Sequence, residues 1–513
     1  MLARRLTKHL TSKKTSSRLF TAIVAPSPGG TGLGVLRGVQ FGKQNLVDWG
    51  ELPRGEIPAQ LATAPVGQLT RLENGVSVAT EIYGSDVSVV SVFIKAGSRY
   101  ETVESSGSAR MLTHLFLRGT KNKSRAQIES ALDAMGTKVE VSFERELIGL
   151  TLRVCSEDCD RAVDLLCEMV SEVNLNDKQM EAEKEAVENS SRELCRDQYE
   201  QTLESCIYSA FRDHMMGQPS RGNGDNISNL TTDMIQEHME RTYAGRNVTV
   251  VVSGNANHEA IVKATKRLNS LPKEPTRESA IVSTETPLLT PSMMVARDDE
   301  MANVNVCVAY KAPPRSHPES FLMNFFASML GTYNANSQGL AHLNSEERQY
   351  HTLHIQFGER PGITLHEAKY ISFSDVGLFT TWTHGNEVWS KDMMFMNQVM
   401  LGKYATILNQ VEVFRARSAL FNSLLSERPG EALNLEIAKD VQYIGRRVDR
   451  TERAYRYSYM ANNEFLQEKA RAWFYDKDTA LGVWGPCNTY VKEFSYYNSN
   501  MYMATRGNPV VLL

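Results

Sequence analysis

The chain repeats itself once, faintly, and that repeat limits the folds open to it. Val90-Ser91-Val92-Phe93-Ile94-Lys95-Ala96-Gly97-Ser98-Arg99 returns 216 positions later as Val306-Cys307-Val308-Ala309-Tyr310-Lys311-Ala312-Pro313-Pro314-Arg315. Both are a strand pattern closed by Lys-Ala-x-x-Arg. Gln179-Met180-Glu181 returns as Gln410-Val411-Glu412, 231 positions on. Tyr243-Ala244-Gly245-Arg246-Asn247, leading through a strand to Gly254, returns at the same offset as Phe474-Tyr475-Asp476-Lys477-Asp478, leading to Gly485. Ordered self-similarity at a shared offset marks a duplicated unit. Each half opens with strand patterns (residues 76–79 and 87–94; residues 304–310), passes into helical stretches, and returns to strands (residues 147–154; residues 373–383). Helices are predicted over residues 112–117, soon after Gly107, and over 125–135, closed by Gly136. Alternating Glu and Lys/Arg predict one long helix over residues 181–208. Strands and helices mixed without βαβ regularity point to the α+β class.

At roughly 150 residues per domain, 513 residues would allow about three domains. The repeat reduces this to one fold used twice. With 42% hydrophobic and 23% charged residues, the chain can bury a large core, which a disordered chain cannot. A net charge of −4 gives no electrostatic footprint for nucleic acid. No run approaches the ~18 apolar residues of a membrane helix. The seven cysteines are odd in number and contain no CxxC pair, so free thiols are expected. No haem-binding CxxCH and no iron–sulfur spacing occur, so no cofactor is expected on this chain.

The charge is uneven. Residues 1–47 hold no Asp or Glu, but carry Arg4, Arg5, Lys8, Lys13, Lys14, Arg18, Arg37 and Lys43. Leu2, Leu6 and Leu10 recur at helical spacing among many hydroxyl residues. An Arg-rich, Ser-rich, acid-free amphipathic leader has the composition of a mitochondrial transit peptide. Gly- and Pro-rich residues 22–65 follow; Gly30-Thr31-Gly32-Leu33-Gly34 lacks the Walker lysine and reads as linker.

Leu69-Thr70-Arg71-Leu72-Glu73-Asn74-Gly75-Val76, Lys95-Ala96-Gly97-Ser98-Arg99-Tyr100-Glu101 and Phe116-Leu117-Arg118-Gly119-Thr120-Lys121-Asn122-Lys123 resemble segments of one family. It comprises the mitochondrial processing peptidase subunits and the core proteins of ubiquinol–cytochrome c reductase. Asp375-Val376-Gly377-Leu378-Phe379, Tyr443-Ile444-Gly445-Arg446-Arg447 and Gly482-Val483-Trp484-Gly485-Pro486 continue the resemblance, which runs from about Pro65 to Asn500. Gly119-Thr120-Lys121-Asn122 and Gly445-Arg446-Arg447 are closer to the β-type subunit and the first core protein. The fold implied is two homologous α+β domains, each a mixed, mainly antiparallel sheet packed with helices. Residues 1–64 are then presequence and irregular segment, 65–285 the N-terminal domain, and 286–513 the C-terminal domain.

Active members carry the inverted zincin motif His-x-x-Glu-His on a helix, with two His as ligands, the Glu as general base, and a distal Glu completing the site. The matching residues here are Arg110-Met111-Leu112-Thr113-His114. The first ligand has become Arg110 and the base Thr113, while His114 remains. The distal ligand position falls at Ser190; Glu183, seven residues earlier, matches a retained family carboxylate. Glu188 and Glu193 point away from that face at ~100° per residue. One His cannot make the three-ligand set of a catalytic zinc. A threonine cannot take a proton from water near neutrality. The segment matching the substrate-binding edge strand, Glu140-Val141-Ser142-Phe143, has changed as well. No catalytic or metal-binding role is therefore expected at Arg110, Thr113, His114 or Ser190. His351 and His354, with His342 and His366 near in sequence, read as a surface cluster. The aromatic tracts around Tyr455-Arg456-Tyr457 and Phe494-Ser495-Tyr496-Tyr497 read as interface or core.

The resemblance implies a non-catalytic core subunit of complex III, peripheral on the matrix side of the mitochondrial inner membrane. Its partners would be a core protein 2-like subunit, cytochrome b and cytochrome c1, within dimeric complex III and its supercomplexes. The rival is a presequence-recognising subunit of the matrix processing peptidase; residues 331–343, with only Gly331 and Gly339, lack the α-type glycine-rich loop. A third reading is a peptidase with a rearranged metal site.

Overall fold

The computed structural model describes residues 49–487, apart from 195, 213, 223, 278–284, 336–356, 358–359 and 361. The basic leader, Cys195, His342, His351, His354 and the Phe494 tract lie outside the described residues.

The strands in chain order are β1 Gln68–Arg71, β2 Ser77–Ile82, β3 Val87–Ile94, β4 Val139–Phe143, β5 Ile148–Cys155, β6 Val248–Gly254, β7 Met293–Arg297, β8 Val304–Ala312, β9 Thr332–Asn334, β10 Ile363–Ser372, β11 Gly377–Gly385 and β12 Thr479–Gly485. They form two six-stranded sheets, ordered β1-β2-β6-β3-β5-β4 and β7-β12-β8-β11-β10-β9. All neighbours are antiparallel except β2/β6 and β7/β12, which are parallel. Five positions therefore repeat with the same order and polarity: β2-β6-β3-β5-β4 and β7-β12-β8-β11-β10. The expected mixed, mainly antiparallel α+β repeat is present, with β1 and β9 added at opposite edges.

Period-two alternation decides what each sheet face buries. On β3, Val90, Val92 and Ile94 join the large core of the first sheet, while Phe93 points to the other face. On β8, Val304, Val306, Val308 and Tyr310 enter the second core, while Cys307 and Ala309 face away from it. The helices that matter below are α1 Ser108–Leu115, α2 Arg125–Ala134, α3 Cys159–Ser171, α4 Asp177–Leu194, α5 Gln198–Ala210, α6 Thr232–Thr242 and α7 Glu431–Lys439. The predicted α2 ends as expected, with Gly136 at φ +62, the left-handed geometry of a helix stop.

The second faces are covered reciprocally. Leu203, Cys206, Ile207 and Ala210 of α5, from the first half of the chain, pack on Cys307, Ala309, Leu378 and Ala480 of the second sheet. Leu433, Ile437 and Ala438 of α7, from the second half, pack on Ala79, Phe93 and Val251 of the first. Asn434 seals that contact, its Nδ2 donating to Val89 O at 3.0 Å and Ser91 Oγ at 2.9 Å. Opposite α5 a glycine is required: a Cβ on Gly482 would lie 2.7 Å from Cys206 N. Each half thus completes the other's core.

Two elements differ from expectation. The single helix over residues 181–208 is two, α4 and α5, because the Asp197 carboxylate accepts from the N–H groups of Tyr199 and Glu200 and starts a new helix. The strand over residues 373–383 is a hairpin turn followed by β11, the turn closed by Phe373 N–H donating to Val376 O at 2.9 Å.

Candidate functional site

Arg110, Thr113 and His114 lie on α1, whose start is fixed from below. Buried Glu101 accepts from Gly107 N–H at 2.9 Å and Ala109 N–H at 2.7 Å, occupying donors that a helix leaves unpaired. Burial raises its carboxyl to about 8, against the two N–H groups that pull it down.

α1 packs against α4, and that contact brings the four sequence-predicted positions and Glu183 together. Arg110 Nη2 donates to Ser190 Oγ at 3.3 Å. His114 Nδ1 lies 3.5 Å from Glu183 Oε2, and the other Glu183 oxygen pairs with Arg118. Glu183 is only 4% exposed, so both of its oxygens are committed within the protein. Thr113 is buried and turned back into its own helix, its hydroxyl donating to Arg110 O at 2.7 Å. Arg110 stacks over Phe143 of the edge strand β4, 5.5 Å from the ring centroid. Glu188 pairs with Arg192, and Glu193 is exposed.

The electrostatics follow from this packing. Burial lowers the Arg110 pKa, and the Arg221 charge lowers it further. Burial likewise lowers the His114 pKa; Arg110 reinforces the shift and Glu183 opposes it. The imidazole therefore sits between a cation and an anion already claimed by a second arginine. A zinc ion does not fit this donor set. One histidine and one arginine-bound carboxylate fall short of three ligands, and Arg110 projects a positive charge where a dication would bind. Among the described residues, no group of three or more His, Cys, Asp or Glu could hold a metal. His366 is buried on β10, with Nδ1 at 3.0 Å from Thr383 Oγ1.

Sequence reasoning missed Arg118 and Arg221. Arg118 lies in the turn beyond the end of α1, where helical spacing from His114 no longer applies. Arg221 is distant in sequence, and nothing local marked it.

Arg110→Ala removes one cause of the lowered His114 pKa. The imidazole pKa should rise towards its ordinary value, read from the imidazole resonances in an NMR titration. An unchanged or lower value would show that the guanidinium does not act on the ring.

The candidate site thus sits in a duplicated α+β fold, where the helix carrying Arg110, Thr113 and His114 is laid against the helix carrying Glu183 and Ser190. Comparison with known proteins gives the family. Residues 77–224 match Insulinase (Peptidase family M16), and residues 229–359 match the Peptidase M16 inactive domain. The chain belongs to peptidase family M16. It is 25% identical over 441 residues to the probable mitochondrial-processing peptidase subunit beta of Arabidopsis thaliana, covering 85% of this chain and 81% of that protein. It is 24% identical over 443 residues to cytochrome b-c1 complex subunit 1 of Bos taurus, covering 86% of this chain and 91% of the relative. A chain of complex III2 from Candida albicans superposes with a TM-score of 0.70 at 20% identity, over 85% of this chain and 99% of that one. A protease from Helicobacter pylori gives 0.68 at 19%, over 82% and 100%. At these identities the two superpositions establish the fold.

Proposed function

We propose that this chain is a non-catalytic core subunit of mitochondrial ubiquinol–cytochrome c reductase, complex III, resembling core protein 1. The observation that carries the reading is the refilled site. Arg110 bonds to Ser190, and Glu183 is held by Arg118 and His114, so internal polar contacts occupy the positions a metal and its water would need. Near full-length similarity to cytochrome b-c1 complex subunit 1 supports the assignment to the complex. No helix among the described residues is long and apolar enough to cross a membrane, which fits a peripheral subunit on the matrix side of the inner membrane. It would pair with a core protein 2-like subunit beneath cytochrome b and cytochrome c1, in the dimeric complex and its supercomplexes.

A second reading has specific support. Mitochondrial-processing peptidase beta subunits match at equal identity, so a presequence-recognising subunit of a matrix peptidase is the alternative. Native electrophoresis of detergent-solubilised mitochondria separates the two. The chain should co-migrate with the haem of complex III; recovery solely in a soluble peptidase would overturn the proposal. Metal analysis addresses the chemistry separately: one zinc per chain, with presequence cleavage abolished by His114→Ala, would overturn the non-catalytic part.

A further inference from the structure

The duplication gives α4 a counterpart in the second half, and the two differ in what they show to solvent. α4 packs on α1, the helix that follows β3; the helix Gln410–Leu425 packs on Ser320–Leu330, the helix that follows β8. The repeated Gln-x-Glu of residues 179–181 and 410–412 lies near the start of both. α4 exposes Asp177, Lys178, Glu181, Glu185, Arg192 and Glu193, the charged face of a solvated helix. None of the exposed residues of Gln410–Leu425 is charged. Val411, Phe414 and Leu425 are exposed there, and at ~100° per residue they fall with Ser418 within about 60° of arc. The opposite face is apolar too: Val413, Ala416 and Leu424 enter the core of the second sheet. A helix apolar on both sides belongs where both sides are covered. Among the described residues the outer side is open.

The charges around this stripe decide the kind of partner. Arg417 lies half-buried at its edge, its guanidinium 5.0 Å from the Phe414 ring centroid and 6.0 Å from that of Phe421. This guanidinium makes no hydrogen bond or ion pair among the described residues. Arg471, exposed beside the turn that leads into the helix, donates to Ala405 O at 3.1 Å and pairs with no carboxylate there. The acids of the same stretch are taken up elsewhere. Glu412 is buried, and both Glu427 oxygens are held by Arg453, at 2.7 and 2.9 Å. An aromatic anchor with charge depleted around it and arginine retained is the composition of a protein interface core.

We propose that this stripe is a docking surface for another protein chain, one that seats apolar side chains on Val411, Phe414 and Leu425 and forks a carboxylate onto Arg417. A second copy of this chain does not suit it. A two-fold contact would set the same patch against itself, cation facing cation with no carboxylate between. A lipid surface does not suit it either, because an interfacial helix carries several Lys and Arg around its apolar face. Here Arg415 is turned inward, donating to Met329 O at 2.9 Å, which leaves Arg417 alone on the helix. The inference holds whichever assembly the chain belongs to.

A photo-reactive residue on the stripe tests it in the native assembly. Phe414→p-benzoylphenylalanine keeps the ring under Arg417. In the full chain, assembled in its own cells and isolated by native electrophoresis, it should cross-link on irradiation to a different chain. The attachment point should lie within about two helical turns of an Asp or Glu. Arg417→Glu should cut the yield at least about tenfold, and exchanging that partner carboxylate for Lys should restore it. Val411→Asp, a change at an exposed position that the fold tolerates, should cut the yield as much by placing a charge in the apolar contact. Undiminished cross-linking in either variant, or no recovery on the exchange, overturns the proposal. So does attachment to this chain's own residues, to a second copy or to lipid, or no attachment at all.

Discussion

Arg99→Ala should lower the unfolding free energy by about 3–5 kcal/mol, the typical consequence of removing one partner from a buried charge cluster. Arg99 is 3% exposed and follows β3; its Nη1 lies 2.7 Å from Glu146 Oε1, and Glu146 is 1% exposed. The same guanidinium forks onto Asp375 in the turn before β11, at 2.7 and 2.6 Å. Glu146 also accepts from Ser374 N–H at 2.9 Å and Ser374 Oγ at 2.6 Å, so the cluster ties the first sheet to a turn of the second. Burial, the largest single influence, pulls the Arg99 pKa down, but the Asp375 hydrogen bond and the Glu146 charge hold it above its ordinary value. Without the arginine, Glu146 stays buried and loses the cation bonded to it, leaving Lys95 as the cation whose charge reaches it. A shift in the urea midpoint at pH 7 measures the loss. The Arg99→Met/Glu146→Leu double variant should recover part of it, because the deeply buried Glu146 carboxylate goes with its cation and the remaining Asp375 is partly exposed. A loss below about 1 kcal/mol for Arg99→Ala would show that the cluster does not hold the halves together.

Arg99 is also where the sequence was most informative. It ends the Lys-Ala-x-x-Arg motif that returns at Arg315; Arg99 bonds directly across the halves, whereas Arg315 holds Asp440 within the second half and the crossing is made by Arg447. Arg315 Nη2 lies 2.6 Å from Asp440 Oδ1; Asp440 Oδ2 lies 2.7 Å from Arg447, which reaches Glu81 of β2 at 3.1 Å. The repeat was legible because strand pattern and turn residues are local. Helical spacing put Arg110, Thr113 and His114 on one helix and Glu183 and Ser190 on another, which are α1 and α4. What could not be read is long-range. Nothing near α5 says that it leaves its own half to cover the second sheet, so its charge alternation merged it with α4. The hairpin turn at residues 373–376 was absorbed into a strand, although Ser374, Asp375 and Gly377 are turn formers. Arg221 acts on Arg110 from within the same half, across 111 residues of sequence that carry no local sign of it.

Acid should destabilise this fold earlier than its carboxylates alone would, through two buried histidines outside the candidate site. His238 on α6 is fully buried with Nε2 3.0 Å from Ala96 O, and its Nδ1 has no partner; burial, foremost, lowers its pKa to about 4. His366 is fully buried with Nδ1 on Thr383 and Nε2 unpartnered, and burial lowers its pKa to about 3. Unfolded, both would titrate near 6.5. Below that pH the unfolded chain takes up protons that the folded chain refuses, so stability is full above pH 6.5 and falls as the pH drops. The loss is about 1.4 kcal/mol per pH unit for each residue, until the folded pKa is reached. Between pH 7 and 4.5 the two together should remove about 5 kcal/mol. Glu101, with its raised pKa, acts in the opposite direction over the same range, but it cancels when variants are compared. His238→Gln/His366→Asn replaces both rings with neutral amides that can still hydrogen-bond. Urea midpoints at pH 7 and pH 4.5 should converge by about that 5 kcal/mol in the double variant relative to the parent. Equal acid sensitivity in both proteins would mean that the buried rings accept their protons in the folded state, against the unpartnered nitrogens and full burial that now exclude them.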